Sequence, residues 1–260
     1  LAIGKKQVTC WQTAMKKYGL IGNPLTHSFS KKYFEEKFRR EKISDCSYGL
    51  YPLQNIQQLV ELIKTNTGLL GLNVTIPYKE QVIPFLTELD NEAKDIGAVN
   101  CIKIQGNKWK GYNTDAYGFE ASLKKFIANP NGLNAFVLGS GGSAKSVIYI
   151  LEKLHIPFVK VSRSAKAGCI GYAEIKNHFG PQNLFINTTP LGMYPEISTA
   201  PEIPYAHLKA GDYLFDLIYN PEETEFLKNG RAAGAKTRNG LEMLQLQAEK
   251  SWEIWNSPGL

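Results

Sequence analysis

The stretch "NAFVLGSGGSAKSVIYIL" (residues 134–151) constrains this chain more than any other. An apolar run suited to a buried strand passes through Gly139-x-Gly141-x-x-Ala144 into a second apolar run at helical spacing. Glycines at such a junction let the backbone turn tightly and bring a helix N-terminus up to an anion such as a pyrophosphate. Strand-to-helix turns are also glycine-rich for steric reasons alone, so the motif by itself leaves a cofactor loop and a plain turn both open.

The surroundings favour the first reading. Strands are predicted at 134–138, 158–161, 184–186, 213–217 and 235–237, with a helix at 142–153, which is the rhythm of a doubly wound parallel sheet. A similar alternation precedes it. Strands are expected near 18–22, 47–51, 69–75 and 98–104, and helices near 30–42 and 55–66, where Phe34, Phe38 and Ile56, Leu59, Val60, Ile63 recur at helical spacing. "GNKWKG" (106–111) reads as a tight connection, 115–127 as an amphipathic helix, and "NPNG" (129–132) as turn chemistry between two lobes. The last stretch, "GLEMLQLQAEKSWEIW", is expected as a helix with Leu241, Leu244, Ala248 and Trp252 on one side. The fold class is therefore α/β in two lobes, the second a Rossmann-like doubly wound parallel sheet.

Composition narrows the function. A chain of 260 residues, 43% hydrophobic, is long enough for its core to split in two. The net charge of +6 is mildly basic, and no Lys/Arg run is interleaved with aromatics, so a nucleic-acid partner is not indicated. No apolar run approaches the length of a membrane span. The four cysteines (Cys10, Cys46, Cys101, Cys169) are scattered, as expected of reduced thiols in a cytoplasmic protein with no metal site. Residues 1–14 precede "MKKYGLIGNP" and are expected to be an upstream or non-native extension outside the fold.

The turn after the second strand of the glycine-loop unit indicates which cofactor. A site for an unphosphorylated ribose usually offers a carboxylate about 20 residues beyond the glycines. Here the turn holds Ser162, Arg163, Ser164 and then Lys166, a guanidinium, hydroxyls and an amine suited to a 2′-phosphate, which favours NADP. An ordinary solvated basic turn has the same composition.

In the first lobe, "GLNVTIPYKE" (71–80) places Asn73, Thr75, Pro77 and Lys79 at the end of an apolar strand, with Pro77 expected to open a helix. A lysine there is ordinarily a solvated cation. "GYNTDAYGF" presents Asp115 at a helix start, where a carboxylate is also a good cap. "GNPLTHSFS" carries Ser28 and Ser30 into a predicted helix; Ser30 serves as an N-cap or, with Ser28, as a grip for a carboxylate. His27 is read as structural.

Eight blocks in order, "GNPLTHSFS", "GLNVTIPYK", "GAVN", "GYNTDAYGF", "VLGSGGSAKS", "NTTPLGM", "DLIYNPEETEFL" and "NGLEMLQLQA", resemble shikimate dehydrogenase from about Tyr18 to Trp255. The resemblance implies a substrate lobe of residues 15–114 plus 239–260 and an NADP lobe of 115–238. It implies that Ser28 and Ser30 hold the carboxylate of shikimate, and that Asn73, Thr75, Lys79, Asn100, Asp115 and Gln247 meet the ring hydroxyls. Tyr219 would close over the ligand from the other lobe. Lys79 would be the general acid and base, oriented by Asp115, in NADPH-dependent reduction of 3-dehydroshikimate. Gly139, Ser140, Gly141, Gly142 and Ser143 would take the pyrophosphate, and Ser162, Arg163 and Lys166 the 2′-phosphate. Asn187, Thr188, Thr189, Leu217, Gly240 and Met243 would lie along the ribose and nicotinamide. The partners implied are small molecules, with no nucleic acid or membrane, for a monomer or homodimer. Two segments depart from the family. Lys31 replaces a Pro and Phe34-Glu35 a His-Asn; the phosphate turn is Ser162-Arg163-Ser164 with Lys166 in place of Asn-Arg-Thr and a second Arg. The second departure leaves room for quinate/shikimate dehydrogenases of relaxed cofactor use. A catalytically silent NADP- or ligand-binding regulator is the alternative from another class.

Overall fold

The computed structural model describes residues 15–25, 29–163 and 168–259. Ser28, Ser164 and Lys166, and the expected extension 1–14, lie outside the described residues. The first half of the chain runs β1 (Lys16–Gly22), α1 (Phe29–Arg40), β2 (Cys46–Pro52), α2 (Gln58–Thr65), β3 (Leu69–Val74), β4 (Glu88–Leu89), α3 (Asn91–Ile96), β5 (Cys101–Gln105) and β6 (Lys108–Tyr112). Its sheet has the order β2-β1-β3-β5-β6-β4. β1 is parallel to both neighbours, whereas β5 is antiparallel to β3 and β6.

After α4 (Thr114–Phe126) come β7 (Leu133–Leu138), α5 (Gly142–Lys153), β8 (Phe158–Val161), β9 (Cys169–Ile170), β10 (Gln182–Asn187), β11 (Tyr213–Asp216), α6 (Glu225–Ala232), β12 (Lys236–Arg238) and α7 (Leu241–Asn256). The second sheet, β12-β11-β10-β7-β8-β9, is parallel throughout. Its order reverses between β7 and β10, and the crevice at the carboxyl ends of those two strands is where ligands bind in such sheets.

Period-two alternation sorts the second core onto two faces. Leu133, Ala135 and Val137 of β7, Leu184 and Ile186 of β10, and Tyr213 and Phe215 of β11 pack with α4 and α5. Phe136, Leu138, Phe185 and Leu214 pack on the opposite side with Phe226 and Leu227 of α6. In the first sheet, a register shift between Lys17 and Tyr18 leaves Leu70 of β3 unpaired. Beyond this bulge, Leu72 and Val74 join Leu59 and Ile63 of α2, while a Cβ on Gly71 would run into Trp255 of α7. Asn73, two residues on, shares that α7-facing side.

Three expectations are corrected. Residues 106–111 are not a simple connection: Gly106 (φ 58°) and Asn107 make a two-residue turn into β6, the left-handed glycine matching the twist of a hairpin. Pro77 opens no α-helix. Turns pin the segment through Tyr78 N–H to Thr75 O and Val82 N–H to Tyr78 O, before a single 3-10 turn at Ile83–Phe85 that holds Pro84. The predicted strand at 98–104 begins at Cys101, because Val99 N–H donates instead to Lys79 O at 2.7 Å. Among the described residues no helix is long and apolar enough to cross a membrane, no His/Cys/Asp/Glu group could hold a metal ion, and Cys46, Cys101 and Cys169 are free.

Candidate active site

Lys79 is aimed by its neighbours. Tyr78 and Val82 are buried in the first lobe's core, and the Tyr78 hydroxyl donates to Leu53 O at 2.6 Å. Anchored on both sides, the segment turns Lys79 toward the crevice between the lobes. Its ammonium donates to Asp115 Oδ2 at 2.6 Å and to Ser143 Oγ at 3.0 Å.

Asp115 lies in the first turn of α4, where the helix N-terminus favours a negative charge. It is not the cap. Asn113 caps the helix, accepting from Ala116 N–H at 3.1 Å and donating to Ala98 O at 2.9 Å. The second Asp115 oxygen accepts from Asn100 Nδ2 at 2.8 Å, and Thr114 N–H donates to Asn100 Oδ1 at 2.6 Å, which fixes which end of the Asn100 amide faces the carboxylate. The Lys79 and Asp115 side chains are only 14% and 10% exposed, so water screens the pair weakly.

A polar seam continues beneath this pair. Asn73 Nδ2 donates to Ser251 Oγ at 2.9 Å, and its Oδ1 accepts from the Tyr48 hydroxyl at 2.8 Å. Burial pushes the Tyr48 phenol well above its ordinary range, and Ser30 bonds the same hydroxyl. Ser30 sits inside α1, one residue past its start, so it is not the N-cap. Gln247 Oε1 lies 3.3 Å from Thr114 Oγ1 and 3.4 Å from Asn100 Nδ2. Thr75 carries its methyl against Gly22 at the mouth of the same strand. Tyr219 reaches across from the other lobe and meets Phe29 edge-on at 5.2 Å between ring centres. The Phe29 backbone also hydrogen-bonds the Tyr219 phenol, whose pKa burial raises.

Across the crevice the glycines differ in role. Gly139 has φ 116°, and a Cβ there would fall 2.6 Å from Thr188 Oγ1, so no other residue fits the turn. A Cβ on Gly142 would fall 3.0 Å from Lys79 Cβ. A Cβ on Gly141 would meet nothing within 4 Å. The loop is therefore packed on protein at two glycines and open at the third, as the approach of a diphosphate requires. Ser140, beside Gly141, is exposed. Opposite, Asn187 Oδ1 accepts from the Thr189 hydroxyl at 2.6 Å, and Thr188 Oγ1 donates to Leu138 O at 2.7 Å. Gly240 lies so close on Leu217 O that a side chain there is excluded, whereas Met243 is buried with α4 residues Ala116 and Phe119. Ser162 N–H pairs with Ile170 O at 3.0 Å, and Arg163 projects from the end of β8 into solvent.

Three residues of the polar cluster, Tyr48, Thr114 and Ser251, escaped sequence reasoning, and so did, in the second sheet, Asp216. The last is fully buried at the end of β11 and accepts from Asn187 Nδ2 (3.0 Å), Ile218 N–H (3.0 Å) and the Thr224 hydroxyl (2.6 Å). Its place in "DLIYNPEETEFL" was the available signal, an acid closing an apolar strand.

An acid–amine pair facing a glycine loop at the reversal point of a parallel sheet defines a two-lobed, dinucleotide-dependent oxidoreductase. Residues 20–102 match the shikimate dehydrogenase substrate binding domain. The NADP(+)-dependent shikimate dehydrogenase of Clostridium beijerinckii is 42% identical over 93% of this chain and 92% of its own length. Shikimate dehydrogenase 1 of Peptoclostridium difficile superposes with a TM-score of 0.83 at 36% identity, over 95% of this chain and 93% of that one. The Thermus thermophilus enzyme, solved with NADP(H) and shikimate, gives 0.82 at 26% identity over 93% and 94%. The chain belongs to the shikimate dehydrogenase family.

Proposed function

We propose that this chain interconverts 3-dehydroshikimate and shikimate with NADP, using Lys79 as the proton donor and acceptor. The observation that carries the reading is the Lys79–Asp115–Asn100 chain of hydrogen bonds set against the glycine loop, which Lys79 meets at Gly142 and Ser143. Residues 15–114 with 239–260 form the substrate side and 115–238 the cofactor side, and α4 and α7 pack together where the two meet.

NADPH, when bound, would supply the hydride, and the backbone from Gly139 to Ser143 would hold its diphosphate and Arg163 its 2′-phosphate. What the chain adds is proton control and orientation. As negative charge grows on the ketone oxygen, the Lys79 ammonium transfers a proton to it, and in the reverse direction the amine takes one. Asp115 restricts where that ammonium points, and Asn100 holds Asp115. Asn73, Thr75 and Gln247 present amide and hydroxyl groups toward ring hydroxyls. Ser28 and Ser30 grip the carboxylate, and Tyr219 covers the ligand, excluding water.

The test is turnover with shikimate and with quinate, each with NADP⁺ and NAD⁺, for wild type, Lys79→Ala and Arg163→Ala. The reading requires that shikimate with NADP⁺ be the best pair and that Lys79→Ala lower kcat by about 10²-fold or more. Arg163→Ala should raise KM for NADP⁺ and leave KM for NAD⁺ unchanged. Comparable use of quinate or NAD⁺ would favour the dehydrogenase of relaxed specificity, and absence of turnover with every pair would leave a ligand-binding protein.

A further inference from the structure

The glycine loop does two jobs, and the second concerns the lysine of the opposite lobe. Its Ser143 hydroxyl accepts from Lys79 Nζ at 3.0 Å. Immediately before it, Gly142 leaves room for the Lys79 stem, with the Cβ position 3.0 Å from Lys79 Cβ and 3.3 Å from Cδ. One turn along α5, Lys145 Nζ pairs with Glu80 Oε2 at 2.5 Å, so residues 79–80 and 142–145 meet at three successive points. The Glu80–Lys145 pair is exposed and contributes little energy, but it fixes the same register. Asp115 alone would leave the ammonium free to swing about one hydrogen bond. Ser143 gives it a second fixed acceptor from a different direction.

We propose that Ser143 is a positioning residue for Lys79, so that the loop reading the cofactor also orients the proton donor. The inference rests on the catalytic assignment of Lys79. A hydroxyl can accept from the ammonium while donating its own hydrogen elsewhere, so the role is compatible with a neighbouring phosphate. It is distinguishable from a contact to the cofactor alone. Loss of a cofactor contact raises KM and Kd for NADP⁺, whereas loss of lysine positioning lowers kcat.

The experiment compares wild type, Ser143→Ala, Ser143→Thr and Lys79→Ala by steady-state kinetics with shikimate and NADP⁺. The equilibrium Kd for NADP⁺ is measured by calorimetry. Ser143→Ala should lower kcat about tenfold, in line with one hydrogen bond to a charged group, with KM and Kd for NADP⁺ within about threefold of wild type. Ser143→Thr, which keeps the hydroxyl, should recover kcat to within about threefold. Unchanged kcat in Ser143→Ala, a loss confined mainly to Kd, or failure of threonine to rescue would each overturn the proposal. Full turnover by Lys79→Ala would overturn the catalytic assignment beneath it. Collapse of Lys79→Ala with intact Ser143→Ala would sink this inference alone.

Discussion

Asp115→Asn is the sharpest single perturbation of the site, because the replacement has nearly the same shape and cannot satisfy both neighbours. One carboxylate oxygen accepts from Lys79 Nζ at 2.6 Å, the other from Asn100 Nδ2 at 2.8 Å. An asparagine amide has one acceptor and one donor end. If its oxygen faces Asn100, its NH₂ faces an ammonium; if it is flipped, the NH₂ faces another NH₂. Asn100 cannot rotate to relieve this, since Thr114 N–H holds its oxygen at 2.6 Å. Removing one partner of a buried ion pair costs about 3–5 kcal/mol. With side-chain exposures of 14% and 10%, some solvent reaches this pair. The lower end, about 3 kcal/mol, is therefore expected in urea unfolding. In the kinetics kcat should fall about 10²-fold, as for a mispositioned general acid. A double-mutant cycle with Lys79→Met should return a coupling of about 2 kcal/mol between the two sites. A variant with kcat within about threefold of wild type, or unfolding free energy within about 0.5 kcal/mol of it, would refute the reasoning.

Two further predictions concern the scaffold. Burial pushes the Asp216 carboxyl up to about 7 from its ordinary 3.8, against the opposing pull of Thr224, Ile218 and Asn187. A carboxyl raised on folding stabilises fully below its ordinary value, and that contribution is lost as pH rises through the folded one. Unfolding free energy should therefore fall between pH 4 and 7 by up to about 4 kcal/mol from this group, and Asp216→Asn should flatten the profile; parallel profiles for the two proteins would sink the argument. Gly71→Ala places a methyl group into the Trp255 indole, whose Nε1 donates to Ile102 O at 3.0 Å. Overpacking there should cost about 1–3 kcal/mol in urea unfolding; an unchanged midpoint would show that α7 yields freely.

Much of this was legible in one dimension because local chemistry and fold agree. The helix 142–153 and strand 158–161 occur where periodicity places them, since the glycines mark one boundary and the apolar runs the other. The short elements were not legible. β4 and β9 are two residues each, and α3 is six, although Asp90 accepting from Glu92 N–H and left-handed Gly97 bracket α3 as a capping reading would demand. α7 was legible as a helix but not in its orientation. Its expected stripe was Leu241, Leu244, Ala248 and Trp252, yet its most buried residues are Met243, Gln247, Ala248, Ser251 and Trp255. Two polar residues hold buried positions there because Asn73, Asn100 and Thr114 wait as partners on the facing elements, which no hydrophobic pattern can register.

The sequence by itself determined the alternation of strands and helices, the glycine turn, and the kinds of group available for chemistry, because these depend on residues within a few positions of each other. Only the tertiary structure decided which groups meet. Lys79 is 36 positions from Asp115 and 64 from Ser143, and no spacing rule links them. They converge because Tyr78 and Val82 are drawn into one core, α4 is capped by Asn113 against Ala98, and the glycine loop of the other sheet packs onto the lysine stem. Burial of apolar surface on each lobe fixes those elements, and the polar pair inherits its geometry from them.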